Sequence, residues 1–294
     1  MTERGLSSPG ADGPARRTVA EGLGFGEAPR WHEGRLWFSD IPRGVVCRLD
    51  DAGAVEEVCS VPGRPSGLGW LPDGRLLVVS MHERTVYRWD GDRLETHADL
   101  RPLVPADLND MVVGPTGNAY VTGFGYDAEA GQPRTPTGVV LVRPDGSAEM
   151  QRGELFRPNG CAITADGTRL VVAQTRLHRL SAQAIGPDGR LGEVVDVADL
   201  PSGSWADGLC LDVEGAVWVA DPKGRRVFRV LADGSIDRVL ETGERSPVAC
   251  VLGGPERRTL FLTMGPIRPM HEALDDPQGR IEALDVEVPG AGWP

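Results

Sequence analysis

The chain has 294 residues, with 31 basic and 43 acidic side chains and a net charge of −12 at pH 7. An acidic surface repels phosphate backbones and anionic headgroups, which excludes nucleic acid and membrane as expected partners. The 39 glycines and 24 prolines argue against a long-helix bundle, and Lys223, the only lysine, leaves almost no candidate for Schiff-base chemistry.

Residues 1–17 (MTERGLSSPGADGPARR) have no apolar core and read as a disordered leader rather than a secretory signal. Residues 18–294 are expected to form one domain. No run of 18 apolar residues offers a spanning helix. The five cysteines are Cys47, Cys59, Cys161, Cys210 and Cys250, an odd number without a CxxC pair. A cytoplasmic protein with free thiols is expected. Cys47 and Cys59 are expected to face each other across a hairpin centred near Gly53.

One motif recurs along the chain: a β-rich run, a tight turn, and a second β-rich run. Its copies are 28–40, 68–80, 111–123, 161–173 and 209–221, with a weaker sixth at 250–263. The turn glycines are Gly34, Gly74, Gly117, Gly167 and Gly215, and the sixth turn falls near Glu256. Such residues tolerate positive φ, and the flanking Val, Leu, Trp and Phe favour strands. Each copy is followed by a second hairpin, at 45–58, 85–97, 138–151, 177–195 and 226–239; the sixth is followed only by GRIEALDVEV (279–288). Two hairpins make a four-stranded antiparallel sheet. Six sheets at periods of 40–50 residues predict an all-β fold, a six-bladed β-propeller around a central channel. Two packed β-sandwiches are the competing architecture, and the regular period argues against them. TVAEGL (18–23) is predicted to supply the strand missing from the sixth blade and so hide an edge.

In a propeller the loops leading into the innermost strands share one face near the channel. Ser66, Asn109, Asn159 and Asp207 each lie eight residues before a turn glycine, and Glu27 lies seven before Gly34. The repeat therefore predicts that Glu27, Ser66, Asn109, Asn159 and Asp207 converge. Two carboxylates and two amides are hard oxygen donors that suit Ca²⁺; Mg²⁺, Mn²⁺ and Zn²⁺ rank behind it, zinc last because the ring offers neither His nor Cys. Each residue alone reads as readily as a turn former bonding its own backbone, and the ion could equally be a structural plug. The channel mouth is expected to carry Met81 and His82, Phe124 and Tyr126, Thr175 and Arg176, and the run 265–279. Trp205, two residues before Asp207, would wall the pocket. His82 and His271 are candidates for substrate contact or proton transfer. The 124–137 and 265–279 loops are the longest and are read as lids. No GxSxG elbow occurs, and GLGFGEA (22–28) precedes a strand, which removes it as a dinucleotide fingerprint.

The motifs GEAPRW (26–31), RLWFSDI (35–41), RPSGLGWLPDGRLLVVS (64–80), LND (108–110), RPNG (157–160) and ADGLCLD (206–212) resemble the senescence-marker-protein/gluconolactonase (regucalcin-like) family in the same order. The resemblance implies a six-bladed propeller with a divalent cation, often Ca²⁺, in its channel. It assigns metal ligation to Glu27, Asn159 and Asp207, and a metal-side or substrate-side role to Asn109. Two positions depart from the family pattern. Asp107 stands where sugar-lactone members carry an arginine, and Gly123 stands in the place of an asparagine.

These readings give a metal-dependent hydrolase of a lactone or related ester, with Asp207 and Asn109 at the chemistry. Asp207 would activate water, and Ser66, Met81, His82, Phe124, Tyr126, Trp205 and His271 would contact a small-molecule substrate. The alternatives are phosphotriester hydrolysis, non-hydrolytic chemistry, or a binding propeller with a structural ion. A monomer or weak homo-oligomer is expected.

Overall fold

The inner strands of each repeat carry apolar side chains on both faces, because in a propeller the neighbouring blades cover both, and only the outermost strands alternate with exposed positions. The computed structural model describes residues 15–50, 52–128 and 130–292. Residues 1–14 of the expected leader lie outside the described residues, and Arg17, its last residue, already opens the first strand.

Strand β1 (Arg17–Leu23) precedes the first complete blade, made of β2 (Gly26–His32), β3 (Arg35–Asp40), β4 (Val45–Leu49) and β5 (Val55–Ser60). The second holds β6 (Pro65–Trp70), β7 (Leu76–Ser80), β8 (Thr85–Trp89) and β9 (Leu94–Asp99). The third holds β10 (Leu108–Val113), β11 (Ala119–Gly123), β12 (Val140–Val142) and β13 (Ala148–Met150). The fourth holds β14 (Pro158–Ile163), β15 (Arg169–Gln174), β16 (Arg179–Ala184) and β17 (Val195–Asp199). The fifth holds β18 (Leu209–Leu211), β19 (Val217–Asp221), β20 (Arg226–Val230) and β21 (Ile236–Glu241). The sixth holds β22 (Ser246–Gly253), β23 (Thr259–Gly265), then the short helix α1 (Glu272–Asp275), then β24 (Gly279–Asp285). The fold is a six-bladed β-propeller. None of its helices is long and apolar enough to cross a membrane, among the described residues.

The ring is closed by β1, which pairs antiparallel with β24 from Arg17 opposite Ala283 to Leu23 opposite Gly279. The N-terminal strand thus completes the last blade, as its sequence predicts. Six apolar layers fill the six gaps between blades. Trp37 and Val46 meet Leu68 and Val78 between blades one and two, and Leu77 and Val79 meet Met111 and Val121 between two and three. Phe38 and Val45 meet Val251 and Phe261 across the closure. Each layer joins segments far apart in sequence, so no blade is stable without its neighbours. The turn glycines Gly34, Gly74, Gly117, Gly167 and Gly215 all adopt positive φ, and the sixth turn runs from Gly254 to Arg257. All five cysteines are buried free thiols. A bulge in the β4–β5 hairpin sets Cys59 opposite Val46 and Cys47 opposite Glu57, so the expected direct pairing is displaced by one position.

Two further features shape the channel. In five of the six inner hairpins the register slips at the start of the innermost strand: between Glu27 and Arg30, Pro65 and Leu68, Leu108 and Met111, Pro158 and Cys161, and Pro247 and Ala249. Bulges of this kind re-aim side chains. Glycines also follow three of the predicted ring residues. A Cβ on Gly67 would lie 2.3 Å from the Met111 nitrogen, one on Gly160 would lie 2.6 Å from the Asp207 carbonyl oxygen, and one on Gly208 would lie 2.2 Å from Ala249 Cβ. These glycines let neighbouring inner strands touch backbone to backbone. Gly208→Ala is therefore expected to destabilise the fold by about 1–3 kcal/mol, because the displaced atoms are backbone and a methyl that cannot rotate away. A thermal melt measures this; an unchanged midpoint would mean that the inner strands separate freely.

Candidate active site

Four of the five predicted ring residues, Glu27, Asn109, Asn159 and Asp207, lie together. Asn109 Nδ2 donates to Asn159 Oδ1 at 2.6 Å, and Asn159 Nδ2 donates to Thr175 Oγ1 at 3.3 Å. Thr175 Oγ1 in turn donates to the Ala206 carbonyl at 2.7 Å, beside Asp207. Thr122 Oγ1 donates to the Asn159 carbonyl at 2.9 Å and accepts the Asp110 N–H at 3.0 Å, which ties the third and fourth inner strands at the level of the amides. Ser66 is buried, and its carbonyl accepts Ser39 Oγ at 2.7 Å. No hydrogen bond joins it to the other four among the described residues.

The Glu27 carboxylate repels that of Asp207. Burial pushes Glu27 up to about 7; Asp110 adds to this, and the Ala28 N–H (2.8 Å from Oε2) and Arg30 oppose it. Ala28 itself sits at φ +47, a strained backbone for a residue with a Cβ. Asp207 is held well above the usual carboxylate range, first by burial and then by Glu27, with Arg157 and an Asn159 hydrogen bond opposing. Its Oδ1 is buried without a hydrogen-bond partner. A buried, unpaired carboxylate oxygen facing a second carboxylate is unfavourable unless a proton or a cation neutralises it. Among the described residues no group of three or more His, Cys, Asp or Glu side chains gathers as a metal cage. The donor set is two carboxylates with neutral amides, an all-oxygen set that fits a hard divalent cation and not a thiophilic one.

The strongest ion pair at the site was not legible in the sequence. Arg30 Nη2 lies 2.6 Å from Asp110 Oδ1, and both side chains are buried. Arg30 also donates to the carbonyls of Leu68 at 3.2 Å, Pro29 at 2.9 Å and Met111 at 2.7 Å. It thereby clamps the inner strands of blades one, two and three. Asp110 further accepts the Met111 N–H at 2.8 Å. Asp110 stands next to Asn109 in the LND motif, but its partner lies 80 positions earlier, and no local spacing announces the pair.

Beside the ring lies a cavity of about 360 Å³ whose walls include His82, Asp107, Phe124, Tyr126 and Arg157. Three of the expected mouth residues thus share one wall. His82 Nδ1 lies 2.8 Å from Asp107 Oδ2, so the residue that departs from the family pattern orients the histidine. The Arg157 guanidinium lies 3.9 Å from the Phe124 ring centre. Burial lowers the affinity of Arg157 for its proton, and the nearby Arg176 guanidinium adds to this. Met81, Trp205 and His271 do not line this cavity. Met81 is held through its backbone, its N–H donating to Arg64 and its carbonyl accepting from Leu108. Trp205 donates its backbone N–H to Asp221 Oδ1 at 2.8 Å and lies under Lys223. His271 is exposed and stands just before α1, with no side-chain capping hydrogen bond to it.

Residues 25–265 match the model of the SMP-30/Gluconolactonase/LRE-like region. The chain belongs to this family. Among relatives in the SMP-30/gluconolactonase group, the 6-deoxy-6-sulfogluconolactonase of Pseudomonas putida is 28% identical over 92% of this chain and 94% of that protein. Pentonolactonase XacC of Haloferax volcanii is 25% identical over 93% of this chain and 95% of its own. The crystal structure of the calcium-binding protein regucalcin from Agrobacterium tumefaciens superposes with a TM-score of 0.78 at 22% identity, over 94% of this chain and 95% of that one. That likeness is one of fold.

Proposed function

We propose that the protein is a divalent-cation-dependent hydrolase that opens a lactone ring, with Ca²⁺ the expected ion. The observation that carries this reading is the buried, unpartnered Asp207 Oδ1 set against Glu27, with Asn109 and Asn159 alongside. Lactonase names among relatives that align over nearly the whole chain support it. Glu27, Asp207, Asn109 and Asn159 would hold the ion, which when bound would polarise the lactone carbonyl. Asp207 would take a proton from the attacking water. The water oxygen bonds to the carbonyl carbon, the ring C–O bond breaks, and the departing alkoxide takes up a proton to give a hydroxy acid. Phe124 and Tyr126 would wall the substrate, and His82, oriented by Asp107, would present its other ring nitrogen to it.

A lactone-panel assay with pH-stat readout tests the reading. Cation-loaded protein is expected to turn over at least one lactone, and chelated protein is expected not to. Equal rates with and without chelator would overturn it.

Glu27 makes the ion's affinity depend on pH. Without a cation its folded-state value is about 7, against 4.5 for an ordinary glutamate. Between these values the folded chain binds more protons than the unfolded one, so chelated protein loses stability as pH rises through that window and levels off above it. The cation needs the deprotonated form, so its stabilising effect grows over the same window. Thermal melts from pH 5 to 8, with and without Ca²⁺, should therefore diverge as pH rises. Parallel curves would remove Glu27 from the ligand set.

A further inference from the structure

We propose that His82 is a catalytic residue of this site: positioned by Asp107, it hands a proton to the oxygen that leaves as the lactone ring opens. The inference rests on the lactonase reading above. His82 Nδ1 lies 2.8 Å from Asp107 Oδ2, and both residues line the cavity of about 360 Å³ beside the ring. An ionised carboxylate only accepts hydrogen bonds, so Nδ1 carries the shared proton and Nε2 is the nitrogen left to exchange one. The other four histidines stand elsewhere. His32 stacks on Trp70 at 3.9 Å, His97 Nε2 meets the Arg143 carbonyl at 3.1 Å, His178 Nδ1 meets the Ser204 carbonyl, and His271 is exposed before α1.

Backbone hydrogen bonds hold the pair from both sides. The His82 N–H donates to the Gly63 carbonyl at 2.9 Å, and the Met81 carbonyl accepts the Leu108 N–H at 3.2 Å. The Asp107 carbonyl accepts the Phe124 N–H at 2.7 Å. Blade two thus supplies the imidazole and the chain entering blade three supplies the carboxylate, on backbones bonded to each other. Asp107 stands two residues before Asn109, so their Cα atoms are at most about 7 Å apart. Arg157, two residues before Asn159, holds the matching place in the next blade and lines the same cavity. A lactone with its carbonyl at the proposed cation ligands therefore extends the rest of its ring towards this cavity and towards His82. The proton transfer balances. As the ring C–O bond breaks, its electron pair goes to the leaving oxygen, which bonds the Nε2 proton of the imidazolium. Neutral His82 keeps its Nδ1 proton against Asp107. The His82 side chain is 43% exposed, so water at the mouth returns the Nε2 proton. Arg84, Asp127 and Arg157 are the other charged groups in the cavity wall.

The test takes the fastest lactone of the panel and its thiolactone, with sulfur in place of the ring oxygen, on Ca²⁺-loaded protein. An alkoxide needs a proton as it departs, whereas a thiolate is stable enough to leave without one. His82→Gln should cut the lactone-to-thiolactone ratio of kcat/KM about 100-fold, the low end of what a positioned acid contributes. A structural role would lower both rates alike. Nitrogen-15 NMR on chelated protein reads the pair without turnover. The His82 signals, assigned by their loss in His82→Gln, should show the Nδ1–H tautomer when the ring is neutral, and Asp107→Ala should move them towards the Nε2–H form. Equal losses on the two substrates, or an Nε2–H tautomer in the native protein, would overturn the proton donor and leave the lactonase standing. No turnover of any lactone by loaded native protein would overturn the lactonase reading, and the proton donor with it.

Discussion

Asp207→Asn is expected to lower kcat/KM by on the order of 10²–10³-fold or more, and at the same time to raise the melting temperature of chelated protein. The first effect would follow from losing both a proposed cation ligand and the proposed acceptor of the water's proton. The second follows from the electrostatics. Burial and Glu27 both disfavour the Asp207 carboxylate, and its Oδ1 has no donor. An amide of the same shape removes that repulsion, which should stabilise the cation-free fold by about 1–3 kcal/mol. Stabilisation by Ca²⁺ should fall away in the variant. In the native protein an ion at 100 times its Kd adds about 2.7 kcal/mol. Activity assays and melts on the same samples read both effects. A variant that loses activity but still gains full stability from Ca²⁺ would separate the ion from Asp207 and leave a structural ion as the surviving reading.

Arg30→Met should destabilise the protein by about 3–5 kcal/mol, the range for stripping one partner from a buried ion pair. The loss has two parts. Asp110 would remain buried without its 2.6 Å partner, and the carbonyls of Leu68 and Met111 would lose their donor. In a chain of this size the midpoint should fall by roughly 6 °C or more. The double variant Arg30→Met with Asp110→Asn should recover part of the loss, because the uncompensated charge is then gone. Because Arg30 spans three blades and Asp110 adjoins Asn109, the single variant should also weaken cation binding. A melt unchanged within 1–2 °C would mean that solvent reaches Asp110 and that the clamp is not needed.

Much of the architecture can be read from local chemistry. Turn glycines at regular spacing demand positive φ, β-branched and aromatic runs demand strands, and an unpartnered third strand at the C-terminus demands a fourth from the N-terminus. A fixed offset within a repeat also places Asn109, Asn159 and Asp207 at equivalent points, with Glu27 one residue out of step, because a propeller converts sequence period into rotation about one axis. Side-chain direction is a different matter. Ser66–Gly67 and Asn159–Gly160 look like turns, yet they lie in strands, where the missing Cβ admits the next blade. Arg30 and Asp110 lie 80 residues apart and meet only because blades one and three both reach the channel. Arg157 sits in a motif that names its neighbour Asn159, while its own contact is Phe124 of the preceding blade. Periodicity and turn chemistry are carried by neighbours in the chain and survive in a string of letters. Pairing between blades and the burial that raises the Glu27 and Asp207 values depend on the closing of the ring, which sequence spacing does not encode.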